Sequence, residues 1–165
     1  MIIGIGGVSR AGKTTLAENL KKAFVKKKKT VEIFCLDDFA KTQSALTIVD
    51  SVPDWERPST IKWDRLISKV EKSSADIKIV EGLFTFYPAS VRSIFSKKIF
   101  VEIDKVLFQA RRYNDKRWDK EPEWYVDHVW KSYLKYGKSK GEDSEYIFLN
   151  GAKPIDINIL VTQIL

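Results

Sequence analysis

The amino-acid sequence predicts an α/β fold, in which one parallel sheet carries helices on both faces. Short apolar runs typical of buried strands alternate with segments of helical periodicity along the 165 residues. Glycine-rich or acidic motifs directly follow three of these runs, as expected where parallel strands end at a ligand cleft. The length suits one domain with a sizeable core, so we expect a single domain over residues 1–165.

Five strands are predicted where short runs of apolar or β-branched residues are bounded by polar ones. In chain order, the runs cover residues 1–6, 30–36, 77–80, 98–103 and 146–149. Because helical segments separate most of them, the strands are expected to lie parallel in one five-stranded sheet.

Helices are predicted between these strands because apolar residues recur three and four positions apart. Leu16, Leu20 and Phe24 lie on one face of the first helix, for example. The predicted helices cover residues 13–27, a stretch starting at 59 or 60, the residues after a capping Asp104, and residues 123–136. Residues 157–165 alternate like a strand, and a helix is favoured there only on the family resemblance given below.

A phosphate loop is predicted at residues 7–14, which read G-V-S-R-A-G-K-T and fit the pattern G-x-x-x-x-G-K-[ST]. Gly7 and Gly12 permit backbone angles that let successive N–H groups surround an anion, and the helix that follows adds its dipole. Lys13 is expected to reach the β- and γ-phosphates of ATP or GTP, and the Thr14 hydroxyl to ligate Mg²⁺. The other loop residues expected to hold the nucleotide are Ser9, Arg10, Ala11 and Thr15.

Carboxylates follow two further predicted strands. Asp37 and Asp38 come directly after residues 30–36, and Glu81 comes after residues 77–80. One of the two aspartates is expected to accept a proton from an attacking hydroxyl or to hold the metal through water, with a turn role as the alternative. Glu81 suits a carboxylate placed behind a loop-bound Mg²⁺, the alternative being a solvated strand end.

A mobile lid is predicted at about residues 112–124, because residues 115–123 are highly charged and contain a proline. Arginines in the lid or directly before it can neutralise transferring phosphoryl oxygens, although a basic helix face is the alternative. These arginines are Arg111, Arg112 and Arg117. The tryptophans in predicted loops, where an indole can stack on a planar ring, are Trp55 and Trp118.

Composition excludes several classes of protein. No apolar run is long enough to span a membrane, and we expect no signal peptide. A single cysteine, Cys35, excludes an internal disulfide and fits a reducing cytoplasm. The formal charge of +7 and the lysine run at 26–29 allow nucleic-acid binding, but a solvated helix end is favoured. His128, the only histidine, is favoured as a structural residue on its apolar helix.

Several motifs together resemble one family. They are the opening residues 2–8 with 12–17, residues 36–39 (L-D-D-F), 80–82 (V-E-G), 127–130 with 133–136, and 149–153 (L-N-G-A-K). Through these motifs, the chain resembles the nicotinamide riboside kinase and uridine kinase group of P-loop kinases over nearly its whole length. It looks closest to the nicotinamide riboside kinases. The resemblance implies the P-loop NTPase fold.

The resemblance also implies roles for individual residues. Asp37 would be the catalytic carboxylate, close to the metal that Thr14 and Glu81 hold. Arg112 and Arg117 would close on the phosphates. The loop with Gly151 and Lys153 would lie near the adenine of the nucleotide. Trp55 and Glu56 would hold the base and the ribose of the acceptor. Trp118 would be a second aromatic residue, in the lid.

The function implied by the resemblance is ATP- and Mg²⁺-dependent phosphorylation of the 5′-hydroxyl of a ribonucleoside-like substrate, with nicotinamide riboside favoured. Uridine or cytidine kinase activity, or another small-molecule P-loop kinase, is the alternative. A nucleic-acid-binding ATPase ranks lower, and a GTPase switch lower still, because its Asp-x-x-Gly and Asn-Lys-x-Asp motifs are absent. We expect a monomer or homodimer.

Overall fold

The computed structural model describes residues 1–115 and 122–165. The strands in chain order are β1 (Ile2–Gly7), β2 (Val31–Cys35), β3 (Ile48–Val49), β4 (Val52–Pro53), β5 (Ile77–Glu81), β6 (Lys97–Glu102) and β7 (Tyr146–Asn150). The helices are α1 (Lys13–Lys26), α2 (Trp63–Lys72), α3 (Ala89–Arg92), α4 (Lys105–Tyr113), α5 (Glu123–Ser132) and α6 (Ile157–Ile164). A π-helical stretch, Tyr133–Gly137, continues directly from α5.

The main sheet is parallel and has the strand order β2-β5-β1-β6-β7. Strand β1 lies at its centre, where Ile5 pairs with Glu81 of β5 and Gly7 pairs with Val101 of β6. The predicted five-stranded parallel sheet flanked by helices is therefore confirmed. Because all strands run the same way, the residues that follow β1, β2, β5 and β7 meet at one edge of the sheet.

The core forms where the sheet packs between its helices. Ile5, Ile79 and Ile99 on three adjacent strands have no exposed surface, and neither do Phe24 of α1 and Phe108 of α4. Strands buried on both faces carry continuous apolar runs, which explains why the sequence showed no alternation there.

Several connections differ from the prediction. The loop after β2 contains a small antiparallel hairpin, β3–β4, that sequence pattern did not indicate. Helix α2 begins at Trp63 and not at 59 or 60, because Pro58–Thr60 forms a 3₁₀ turn first. The short helix α3 was also missed.

Two helix ends agree with the prediction. The Asp104 side chain accepts a hydrogen bond from the Leu107 N–H and caps α4. The ambiguous C-terminal stretch is the helix α6, which Asp156 caps through the N–H groups of Asn158 and Ile159. Over the two described stretches, no helix combines the length and the hydrophobicity that crossing a bilayer requires.

Candidate active site

The phosphate loop joins β1 to α1 at the carboxyl edge of the sheet. Gly7 has a φ of +143°, and a Cβ there would lie 2.3 Å from the Val101 carbonyl oxygen. Gly12 has a φ of +101° and directly precedes Lys13, the first residue of α1. Both positions therefore require glycine, and the helix N-terminus opens onto the loop. The other predicted nucleotide residues are Ser9, Arg10 and Ala11 in this turn, and Thr14 and Thr15 in the first turn of α1.

Lys13 is buried at the centre of this edge, with 8% of its surface exposed. Its ammonium donates a hydrogen bond of 2.9 Å to the Val8 carbonyl oxygen. Burial lowers the pKa of Lys13, and the nearby carboxylates of Glu81, Asp37 and Glu56 act in the opposite direction. Three acidic side chains from separate parts of the chain thus surround one lysine.

A hydroxyl and a carboxylate meet beside Lys13. The Thr14 hydroxyl donates a 2.8 Å hydrogen bond to Oε1 of Glu81, which ends β5 and is 2% exposed. Both groups offer the oxygen ligands that suit Mg²⁺. Within the described residues, no group of three or more His, Cys, Asp or Glu side chains forms a metal site by itself.

The two aspartates after β2 lie in a 3₁₀ turn, Leu36–Phe39, and both are exposed. Asp37 interacts electrostatically with Lys13 and Glu56, which places its carboxylate on the cleft side of the turn. Cys35 lies close to Asp37. Burial raises the pKa of the Cys35 thiol to about 12, and the negative charges of Glu81 and Asp37 act in the same direction. Cys35 therefore stays protonated at neutral pH and is not an activated nucleophile.

Arg112 links the end of α4 to both the phosphate loop and Glu56. Its Nη1 donates a 2.8 Å hydrogen bond to the Ser9 hydroxyl. Burial raises the pKa of the Glu56 carboxyl to about 7, although the positive charge of Arg112 and the ring of His128 favour its ionised form. Arg112 thus lies where a phosphate on the loop would contact it, beside a carboxyl that titrates near neutral pH.

Arg111 has a different position from the one expected of a lid arginine. Its guanidinium donates to the carbonyl oxygens of Arg10, at 3.0 Å, and Gly151, at 2.9 Å. Arg10 in turn forms a 3.0 Å ion pair with Asp115. A Cβ at Gly151 would lie 2.7 Å from the Ala11 carbonyl oxygen. Arg111 therefore ties the phosphate loop to the loop after β7.

The loop that carries Trp55 and Glu56 is held by residues that sequence reasoning missed. Asp54 is 1% exposed, and its Oδ1 lies 2.8 Å from Nε2 of His128 on α5. Trp124 is half-buried, and its ring centroid lies 6.5 Å from that of His128. The one available signal was the spacing of His128 and Ser132, which lie four residues apart and so on one face of the predicted helix.

Arg117 and Trp118, with the middle of the predicted lid at 112–124, fall within residues 116–121, outside the part of the chain that the structure describes. Lys153 is exposed in the turn after β7, where its N–H donates to the Asn150 carbonyl oxygen.

Comparison with known proteins identifies kinases as relatives. No family model matches the chain. Human nicotinamide riboside kinase 1 is 27% identical over 172 residues, which cover 92% of this chain and 84% of that protein. Mouse nicotinamide riboside kinase 2 is 25% identical over 93% of this chain and 88% of that protein. Uridine kinase from Chlamydia pneumoniae is 30% identical over 63% of this chain and 58% of that protein.

Solved structures share the fold. A gluconokinase from Sinorhizobium meliloti has a TM-score of 0.61 at 14% identity, over 99% of this chain and 88% of that one. Shikimate kinase from Aquifex aeolicus has a TM-score of 0.56 at 16% identity, over 99% and 94% of the two chains. The predicted P-loop NTPase fold, the enzyme class and the resemblance are confirmed, and the mobile lid stays a prediction.

Replacement of Gly151 by Ala should loosen the tie between the two loops, because the new Cβ would collide with the Ala11 carbonyl oxygen. We expect nucleotide affinity to fall by about tenfold, equivalent to roughly 1.4 kcal/mol, in a titration with a fluorescent nucleotide. The matched control is Ala152→Ser at the exposed neighbouring position. Unchanged affinity in Gly151→Ala would show that the loop after β7 adapts without disturbing the phosphate loop.

Proposed function

Because the chain is a P-loop kinase that resembles the nicotinamide riboside and uridine kinases, we propose that it phosphorylates the 5′-hydroxyl of a ribonucleoside-like substrate. ATP would be the donor, Mg²⁺ the metal, and nicotinamide riboside the favoured acceptor. One observation carries the proposal: Asp37, Glu56 and Glu81 converge on the buried Lys13 at the end of the phosphate loop. A donor phosphate, a metal and a hydroxyl acceptor would therefore adjoin at one point.

On the donor side, the phosphate-loop N–H groups and Lys13 would hold the β- and γ-phosphates. Mg²⁺ would bind at the Thr14 hydroxyl, with Glu81 and Asp37 as nearby carboxylates. The hydrogen bond between Thr14 and Glu81 supports this assignment, because it holds two oxygen donors together next to the loop. Gly151 and Lys153, in the turn after β7, would border the adenine.

On the acceptor side, Asp37 would orient the 5′-hydroxyl and accept its proton as phosphoryl transfer proceeds. Glu56 would accept hydrogen bonds from the ribose hydroxyls, and Trp55 would stack on the base. Arg112 would stabilise charge on the transferring phosphate, as its hydrogen bond to Ser9 suggests. Arg117 and Trp118 remain candidates from the sequence for the same two tasks.

Nicotinamide riboside is favoured over uridine because two nicotinamide riboside kinases match over nine-tenths of this chain. The exposed Trp55 adds a chemical reason, since an indole face attracts the cationic pyridinium that uridine lacks. This activity would belong to NAD biosynthesis in the cytoplasm. Uridine or cytidine phosphorylation is the second candidate, favoured by the match to a uridine kinase.

The direct test is a phosphorylation screen with ATP and Mg²⁺ over nicotinamide riboside, uridine, cytidine and pantothenate. Transfer to nicotinamide riboside supports the proposal, and Lys13→Ala should abolish it while the protein stays folded. Transfer to uridine alone would show that uridine, and not nicotinamide riboside, is the acceptor, and the assignment as a nucleoside kinase would stand. Transfer to pantothenate alone would contradict a nucleoside acceptor.

Replacement of Asp37 by Asn keeps the side-chain shape but removes the proton acceptor. Turnover should fall by roughly 10²-fold or more, the scale of general-base catalysis, while ATP affinity changes little. Asp38→Asn, in the same exposed turn, is the matched control and should have a smaller effect. An equal loss at both positions would indicate shared metal binding in place of a single base.

The pH dependence of acceptor use should follow Glu56, whose pKa is about 7. Below that pH the carboxyl is protonated and offers fewer acceptor sites to the ribose, so kcat/KM for the nucleoside should rise as pH increases through about 7. Glu56→Gln should lower kcat/KM and remove this rise. If the rise persists in Glu56→Gln, a group other than Glu56 is responsible.

Replacement of Trp55 by Ala should change selectivity between acceptors. Base stacking is worth roughly 1–3 kcal/mol, and a cationic ring gains further attraction. The KM for nicotinamide riboside should rise about tenfold more than that for uridine, with the KM for ATP steady. A uniform loss for both nucleosides would mean that Trp55 only packs the loop.

A further inference from the structure

We propose that Asp54, His128 and Ser132 act as positioning residues that fasten the acceptor loop, defined as residues 54–57, to helix α5. The inference rests on the proposed function, since it concerns how Trp55 and Glu56 are held toward the nucleoside. His128 and Ser132, both on α5, attach to the acceptor loop at Asp54 and Glu56, the residues on either side of Trp55.

The first attachment is through the carboxylate of Asp54, whose side chain has no exposed surface. It accepts hydrogen bonds from the Arg57 Nε at 2.5 Å, the Glu56 N–H at 3.1 Å and the His128 ring at 2.8 Å. Burial disfavours its charge, but the hydrogen bonds from His128 and Arg57 outweigh burial and lower the pKa of Asp54. An ionised carboxylate can only accept hydrogen bonds. Nε2 of His128 therefore carries a hydrogen and donates the hydrogen bond to Asp54.

The second attachment is one helical turn further along α5. The Ser132 hydroxyl donates a short hydrogen bond to the backbone carbonyl oxygen of Glu56. Residues four apart lie on the same face of a helix, so His128 and Ser132 approach the acceptor loop side by side. Two contacts on one rigid face fix both the position and the rotation of the loop.

The loop is built so that these contacts control its side chains. The Thr60 hydroxyl donates to the carbonyl oxygens of Arg57, at 2.6 Å, and Trp55, at 3.3 Å, which makes residues 55–60 a compact turn. With the backbone of Glu56 held from α5, its carboxyl faces Arg112 and Lys13. Trp55 stays 38% exposed between the two attachments. Loss of either attachment should therefore displace both acceptor contacts at once.

The kinetic test compares His128→Leu with His128→Gln. Leu removes the donor to Asp54, whereas the Gln amide nitrogen can replace the ring Nε2. We expect the nucleoside KM to rise about tenfold in His128→Leu and to recover to within about threefold of wild type in His128→Gln, with the KM for ATP unchanged in both. A rise in the KM for ATP equal to that for the nucleoside, or no rescue by Gln, would overturn the proposal.

Hydrogen exchange provides a readout that does not depend on the activity. The backbone amides of residues 54–57 should exchange faster in Ser132→Ala, which removes the hydroxyl that bonds the Glu56 carbonyl oxygen. This variant also keeps the proposal testable if His128→Leu fails to fold. Lys131→Ala, at the exposed neighbouring position on α5, should leave their exchange unchanged. Unchanged exchange in Ser132→Ala would overturn the proposal. If the wild-type protein phosphorylates no nucleoside, the proposed function fails, while exchange still decides whether α5 holds the loop.

Discussion

The buried ammonium group of Lys13 is the constraint on which the rest of the site depends. A charge with 8% of its residue exposed is costly unless opposite charges and hydrogen bonds compensate for lost water. Here a carbonyl oxygen of the phosphate loop and the carboxylates of Glu81, Asp37 and Glu56 offset part of that cost, although burial still lowers the pKa of Lys13. The same lysine reduces the repulsion between these carboxylates, so the basic and acidic halves of the cleft stabilise each other.

Two sets of contacts hold the segments around this lysine. Arg111 bridges the phosphate loop and the loop after β7, on the donor side of the cleft. Asp54 and its partners on α5 hold the acceptor loop on the other side. Neither set of hydrogen bonds includes Lys13, so each holds its own side of the cleft without using the charge of that lysine.

The sequence was most informative where chemistry and position coincide along the chain. Residues 7–14 carry a pattern whose glycines and lysine are needed for one local geometry, so the motif alone predicted the loop. Asp37 and Glu81 were predicted because each directly follows an apolar strand. The sequence did not predict the hairpin β3–β4 or the 3₁₀ turn before α2, because both are short elements without a periodic pattern. It did not predict the role of Arg111 either, because the Arg111 hydrogen bonds join residues far apart in the chain.

By itself, then, the sequence determined the parallel sheet, the phosphate loop and the acidic residues at the strand ends, since these follow from local pattern and from the direction of parallel strands. Only the tertiary structure decided how the remaining polar residues are used. Arg111 and Arg112 are adjacent in the chain, yet one ties two loops together and the other points at Ser9 and Glu56. Likewise, His128 became a partner of Asp54 because folding brings residues 74 positions apart within hydrogen-bond distance, and no local pattern encodes that contact.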